Sequence, residues 1–373
     1  MFENFKVPND LIPSDPRFGC GPSLVPLDYL DSLKKRGVHL LGTSHRKSAI
    51  KNLVKELQEG LKKYFHVPSD YLVTLGNGGA TCLFDMIALG LVEKKAAHFT
   101  CGEFSQKWFK SSKAVPWIKA EEFTVPMGEG IEARDVADAD LICATLNETS
   151  TGVQLPGLPA VHEGALLAVD ATSGAGQMPC DVSKTDIFFF SPQKVFAAEG
   201  GLWIAFLSPK AMARAKKIVA DKSRYIPPFM SWGEAIGNSE KNQTYNTPAI
   251  TTIWLANQQV KVMSELGFEK VCAMAEEKAQ VLYKWAQHKP YLSCYIKDDK
   301  FRSRAVACID VDAKCDVTPL VEKLEKEKIV YGIDAYRNLG RNQFRISLFH
   351  NIKKSDLEKL TKLLSLAIEG ELK

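Results

Sequence analysis

The chain has 373 residues, 45% hydrophobic and 25% charged, with a formal net charge of +4. This is ordinary globular composition, long enough for two domains. So slight a basic excess gives no nucleic-acid footprint, yet it suits a site that attracts small anions. No run approaches the about 20 apolar residues of a membrane span. The start, MFENFKVPNDLIP, carries acidic residues and no apolar stretch, and the nine cysteines are scattered with no CxxC pair. The expectation is a cytoplasmic protein with reduced thiols, no metal site, and no membrane or nucleic-acid partner.

In chain order, Pro8, Pro13, Pro16 and Gly19 make the first twenty residues an extended arm. Ile50, Leu53, Val54, Leu57, Leu61 and Phe65 fall on one face of a helix. A strand is expected at 71–75, then the glycine-rich GNGGAT, then an apolar helix over 82–91. Short apolar runs at 97–101, 141–145, 166–169 and 187–190 suit strands buried on both faces of a parallel sheet, with one more at 201–207. Residues 221–249 are rich in Pro, Gly, Asn and Ser and read as a long functional loop region. A helix over 251–266 leads to a second layer. It reads helix 269–288, strand 306–311, helix 318–328, strand 343–348 and helix 355–369, a compact α+β arrangement.

Five elements carry chemistry. In IFFFSPQK, Lys194 follows a very apolar strand. Desolvation there would lower its pKa and make the amine a nucleophile towards an aldehyde; a lysine reaching water from a strand-end loop is the plainer alternative. In LLAVDAT, Asp170 ends another strand, where ligand sites of parallel sheets lie, although an aspartate there also caps loops. An amine and a carboxylate on successive strand ends are what pyridoxal phosphate needs. The amine holds the aldehyde, and the carboxylate keeps the pyridine nitrogen protonated. GNGGAT opens a helix and suits a phosphate, or is simply a tight turn; it matches neither GxGxxG nor the P-loop. In GTSHRK, Ser44 is a plausible N-cap, and His45, Arg46 and Lys47 oppose the helix dipole unless an anion binds there; a solvated charge cluster is the alternative. In GRNQFR, Arg345 sits inside an apolar strand. Its fork matches a carboxylate if it faces a site, and water if it does not.

RFGCGPS, GTSHR, GNGGAT, GEFS, NETSTG, VDATSG, SPQK, KNQTYNTPA and GRNQFR occur in the order found in the phosphoserine aminotransferases. The chain resembles that family, a branch of the class V aminotransferases and of the fold type I pyridoxal-phosphate enzymes, from about Arg17 to the C-terminus. The resemblance implies an α/β fold: a large domain (17–262) with a mostly parallel seven-stranded sheet flanked by helices, and a smaller α+β domain formed by 1–16 and 263–373. It implies that Lys194 binds the cofactor and shuttles the substrate proton, that Asp170 pairs with the pyridine nitrogen, and that Phe104 stacks on the ring, where many relatives carry tryptophan. Thr149 would contact the ring hydroxyl, and Gly79, Ala80 and Gln193 would hold the phosphate. Asn246 and Thr247 would reach the phosphate bound in the other subunit of a homodimer. Arg345 would bind the substrate α-carboxylate, while Arg341, with His45 and Arg46 of the other subunit, would bind the substrate phosphate. The implied substrates are L-glutamate/2-oxoglutarate and phosphoserine/3-phosphohydroxypyruvate, with phosphohydroxythreonine as a related candidate. GRNQFR is shorter between its arginines than the commoner family pattern and lacks the histidine before the first, so Arg341 is the less secure assignment. A transaminase of small amino acids, such as alanine and glyoxylate, is the alternative within the class, and a phosphate-binding protein without catalysis the alternative outside it.

Overall fold

The computed structural model describes residues 1–372. Its strands and helices, in chain order, are α1 (Leu27–Arg36), α2 (Ser48–Tyr64), β1 (Leu72–Gly78), α3 (Ala80–Leu91), β2 (Lys95–Thr100), α4 (Glu103–Lys113), β3 (Lys119–Thr124), β4 (Leu141–Thr145), β5 (Asn147–Glu148), β6 (Val153–Gln154), β7 (Leu166–Asp170), β8 (Ile187–Phe190), β9 (Gly201–Leu207), α5 (Pro209–Ala220), α6 (Trp232–Ser239), α7 (Ile250–Leu266), α8 (Phe268–His288), β10 (Leu292–Cys294), β11 (Val306–Val311), α9 (Thr318–Lys326), β12 (Gln343–Ser347) and α10 (Lys354–Glu371).

Seven strands form one sheet in the order β1-β9-β8-β7-β4-β2-β3. β8, β7, β4, β2 and β3 are mutually parallel, whereas β9 runs antiparallel to both of its neighbours. The central strands are buried on both faces, as continuous runs such as IFFF and LLAVD require. On one side α2 and α7 cover them; on the other lie α3, α4 and α5. The aromatic chains Phe65, Phe188, Phe190, Phe196 and Phe206 pack together with ring centroids 4.7–6.3 Å apart, a range in which aromatic pairs attract beyond their burial. The mostly parallel seven-stranded α/β architecture is the one expected.

A second core lies between the antiparallel sheet β10-β11-β12 and helices α8, α9 and α10. The N-terminal arm packs into it: Phe2 and Phe18 are buried there, and the Ser14 amide and hydroxyl donate to Asp356.

Two local expectations need correction. α2 begins at Ser48, with Lys47 as its N-cap, so Ser44 does not cap it. The Ser44 hydroxyl instead accepts from the Arg46 amide at 3.4 Å, bending the chain before the helix. The 221–249 region is not wholly loop: it contains α6, whose Trp232 is buried and donates to the Met86 carbonyl. Eight residues give too few turns for a periodic pattern to stand out.

Candidate active site

β7 and β8 are adjacent and parallel, with Asp170 in register with Phe189. Asp170 is the last residue of β7, and Lys194 lies four residues beyond the end of β8. Both line one cavity of about 330 Å³ at the carboxyl edge of the sheet, together with Gly79, Ala80, Phe104, Asn147, Thr149, Ser173 and Gln193 among others. Parallel sheets place ligands at this edge, and the volume falls in the range of small-molecule sites.

Lys194 is buried, and its Nζ donates to the Cys20 carbonyl at 2.5 Å. Burial pushes its pKa down to about 8, with the charge of Arg345 acting in the same direction. Gly21 makes room for it: a Cβ there would lie 1.9 Å from Nζ, and φ is +139°. The turn behind the lysine is tight, closed by the Ala197 amide on the Lys194 carbonyl at 3.1 Å, with Ala197 at φ 48°. Left-handed backbone at a non-glycine residue costs of the order of 1 kcal/mol or more and recurs at functional sites.

Asp170 is also buried. Burial pushes its pKa up to about 6, against the opposing hydrogen bonds from Thr172. The Thr172 amide and hydroxyl both donate to Oδ1, at 2.9 and 2.5 Å. Among the described residues none donates to Oδ2, which leaves it for a ligand. A protonated ring nitrogen would meet that need.

Phe104 sits in the first turn of α4, its ring centroid 5.9 Å from the Lys194 Nζ and 6.1 Å from the Tyr336 ring. Gly79 and Ala80 stand where β1 gives way to α3, whose free N–H groups and positive dipole end suit an anion. The Gln193 Oε1 is buried without a partner among the described residues. A side-chain amide's oxygen and nitrogen are assigned from their bonding, and the other rotamer turns the NH₂ to that place. Thr149 donates to the Ser173 hydroxyl at 2.8 Å, and the Asn147 amide donates to the same oxygen at 2.7 Å. Taken together, the buried amine, the carboxylate with a free oxygen, the aromatic face and the helix N-terminus fit pyridoxal phosphate at its aldehyde, ring nitrogen, ring plane and phosphate.

Arg345, on β12, donates from Nη1 to the Thr149 carbonyl at 3.3 Å and lies 5.1 Å from the Tyr336 ring. Its Nε is buried with no acceptor among the described residues. A guanidinium with a spare N–H beside the cavity is a carboxylate receptor in waiting.

Five expected site residues, His45, Arg46, Asn246, Thr247 and Arg341, lie away from this cavity. His45 Nδ1 is 3.4 Å from the Thr247 hydroxyl. Asn77 fixes Thr247 by donating to its carbonyl at 2.5 Å and accepting from the Ala249 amide at 3.1 Å. His45, Arg46 and Thr247 thus gather outside β1 rather than around their own chain's Lys194. Arg341 is separate again. It forms a bidentate ion pair with Asp310, at 3.0 and 2.6 Å, and stacks on Tyr295 at 4.4 Å. It lines a different cavity, beside α9. In this chain its fork is already engaged by Asp310.

Sequence reasoning singled out Thr149 and Asp170 but passed over Asn147 and Ser173, which stand in the same two motifs, NETSTG and VDATSG. It also passed over Tyr336, which belongs to a stretch without periodicity, and Glu148, whose role depends on a helix more than 40 residues away.

A family model described as aminotransferase class-V matches residues 21–360. A phosphoserine aminotransferase of Corynebacterium glutamicum is 42% identical over 98% of this chain and 97% of its own length. One of Nocardioides sp. is 40% identical over 99% of this chain and all of its own. Among solved structures, a phosphoserine aminotransferase from Cytophaga hutchinsonii superposes with a TM-score of 0.85 at 24% identity, covering 94% of this chain and 99% of that one. The PLP-bound phosphoserine aminotransferase of Trichomonas vaginalis gives 0.80 at 22% identity, with the same coverage. These two structural likenesses carry the fold. With its family model spanning the cavity residues and its relatives matching end to end, the chain belongs to the class-V aminotransferases.

Proposed function

We propose that the chain is a phosphoserine aminotransferase. It moves an amino group reversibly between L-glutamate and 3-phosphohydroxypyruvate, giving 2-oxoglutarate and L-phosphoserine, a step of serine formation. One observation carries this reading. Lys194 and Asp170 reach a single cavity from neighbouring parallel strands, in a chain 42% identical over nearly its whole length to a phosphoserine aminotransferase.

Pyridoxal phosphate supplies, when bound, an electron sink for the carbanion that develops at the substrate Cα. The residues do the rest. Lys194, with its lowered pKa, offers a neutral amine that anchors the cofactor and then moves the proton at Cα. Asp170 holds the ring nitrogen in its protonated form. Phe104 covers one ring face and keeps water from it. Thr149 meets the ring hydroxyl, and Gly79, Ala80 and Gln193 hold the phosphate. Arg345 takes the α-carboxylate shared by both amino-acid substrates.

Each substrate carries a second anion, so a second cationic group is needed. His45 and Arg46 lie beside Thr247 on the outside of β1, and Leu41, Phe229 and Tyr245 are large exposed hydrophobic side chains. This supports a homodimer in which His45 and Arg46 of one copy bind the substrate phosphate of the other, while Asn246 and Thr247 reach the other copy's cofactor phosphate. Arg341 would join them only by leaving Asp310. We place the domain boundary at about residue 262, with the arm 1–16 in the smaller domain, and the enzyme in the cytoplasm. No helix of the described residues is long and apolar enough to cross a membrane.

The test is a coupled assay. Purified protein should be yellow and should form 2-oxoglutarate from glutamate and 3-phosphohydroxypyruvate, with alanine plus glyoxylate turned over at least about tenfold less efficiently. A preference for alanine and glyoxylate would move the chain to the other branch of its class, and a colourless, inactive preparation would refute the enzyme.

A further inference from the structure

Glu148 ends β5 and is fully buried. Burying a carboxylate is costly unless donors surround it, and here five do. Oε1 accepts from the Phe104 amide at 3.3 Å, the Ser150 amide at 3.1 Å and the Ser150 hydroxyl at 2.7 Å. Oε2 accepts from the Ser105 amide and hydroxyl, both at 2.9 Å.

Two of these amides belong to the first turn of α4, where N–H groups lack intrahelical partners. The N-cap of α4 is Gly102, which has no side chain to serve them. Its missing side chain is a requirement: a Cβ there would lie 2.3 Å from Cγ of Glu148 and 2.6 Å from the Ser150 hydroxyl. The cap therefore comes from a distant strand, and its negative charge meets the positive end of the helix dipole.

That turn carries Phe104 over Lys194, and Glu148 is flanked in sequence by Asn147 and Thr149, both on the cavity wall. One carboxylate thus ties together the aromatic cover and the wall that faces the ring hydroxyl. We infer that Glu148 is a positioning residue for catalysis: by clamping α4 to the 147–149 segment it fixes the tilt of Phe104 on the cofactor ring, and so the ring's orientation towards the Lys194 amine. This rests on the cofactor reading above.

The test uses Glu148→Gln in the holoenzyme. An amide can replace only one oxygen, so its NH₂ must face either the Phe104 and Ser150 donors or the Ser105 donors. The variant should keep its colour, because Lys194 is untouched. Its visible circular dichroism should fall to less than about half of the wild type, and kcat should drop by about 10- to 100-fold with KM for glutamate little changed, as misplacement rather than lost binding predicts. Phe104→Leu should give the same signature, and the double variant should be no worse than the poorer single one. Ser105→Ala, which removes one donor and leaves the carboxylate, should weaken the dichroism in the same direction, and it decides the matter if Glu148→Gln does not fold. Wild-type dichroism in both Glu148→Gln and Ser105→Ala, or additive losses with Phe104→Leu, would overturn the inference. A colourless wild type would instead sink the cofactor reading, so the two failures are told apart.

Discussion

The hydroxyl of Thr247 lies 3.4 Å from Nδ1 of His45, across 202 residues of sequence. One is expected to reach a cofactor phosphate and the other a substrate phosphate, yet both stand on the outside of β1. Two phosphate-binding groups offered together to the outside make sense if a second copy receives them. Mixing two variants, each impaired when 3-phosphohydroxypyruvate is limiting, tests this under that condition. Lys194→Ala lacks the amine, and Arg46→Ala lacks the donated cation. Unfolded and refolded together, they form mixed dimers in which one site has both groups intact. Activity should recover to about a quarter of wild type, since about half of the dimers are mixed and each has one good site. No recovery above the separate variants would mean that each chain builds its site alone.

The amine of Lys194 should titrate early. Burial pushes its pKa down to about 8, with Arg345 adding to the effect. The neutral amine is the form that captures an aldehyde, so the rate at which apoenzyme takes up pyridoxal phosphate should rise with pH about a midpoint near 8. Arg345→Met removes a nearby positive charge and should move that midpoint upward. Stopped-flow absorbance across pH 6–10 (roughly the range over which the apoenzyme must stay folded) reads both. A midpoint near that of an ordinary lysine would show the amine to be solvated.

Asp170 gives a stability slope of opposite origin. Its carboxyl is pushed up to about 6 by burial in the chain without cofactor. Between its ordinary pKa and that value the folded chain holds a proton that the unfolded chain releases. Stability from this group is therefore present at low pH and declines as pH rises through about 4 to 6. Asp170→Asn removes the slope. Thermal melts of the apoenzymes at about pH 5 and 7.5 should show wild type losing roughly 1–1.5 kcal/mol relative to the variant. The holoenzyme should respond differently, because a protonated ring nitrogen stabilises the carboxylate. There the variant should keep its cofactor and lose kcat by on the order of 100-fold or more.

Much of this site was legible because each residue closes an element with a clear pattern. Asp170 ends LLAV, Lys194 follows IFFF, and Gly79 precedes an apolar helix, so strand ends alone placed them at one edge of the sheet. The antiparallel course of β9 was hidden because a doubly buried strand looks the same in either direction. The helices α1, α4 and α5 and the strands β3, β5, β6 and β10 were missed. β3, as KAEEFT on the sheet edge, alternates too little to stand out, and the first turn of α4 takes its cap from Glu148 rather than from a neighbouring residue. The ion pair of Arg341 was hidden for a related reason: its partner Asp310 lies on β11, and nothing in GRNQFR announces a cross-strand pair.

That pair leads to the last expectation. Arg341 is tied to Asp310 by two hydrogen bonds and rests on Tyr295, while Asp310 also accepts from the Gln343 amide at 2.8 Å. To bind a substrate phosphate it would have to abandon a partly buried carboxylate, which opposes any gain. Arg46 has no such tie: no ion pair holds it among the described residues. Arg46→Ala should therefore raise KM for 3-phosphohydroxypyruvate by about 10- to 100-fold, the loss of one charge-assisted contact, with a smaller change for glutamate. Arg341→Ala should raise it by less than about fivefold and act mainly through stability, lowering the melting temperature by a few degrees, roughly 1 kcal/mol. Steady-state kinetics with both substrates separate the two arginines. A phosphate-selective defect in Arg341→Ala as large as that of Arg46→Ala would mean that the Asp310 pair opens in the working enzyme and that Arg341 swings across to the substrate.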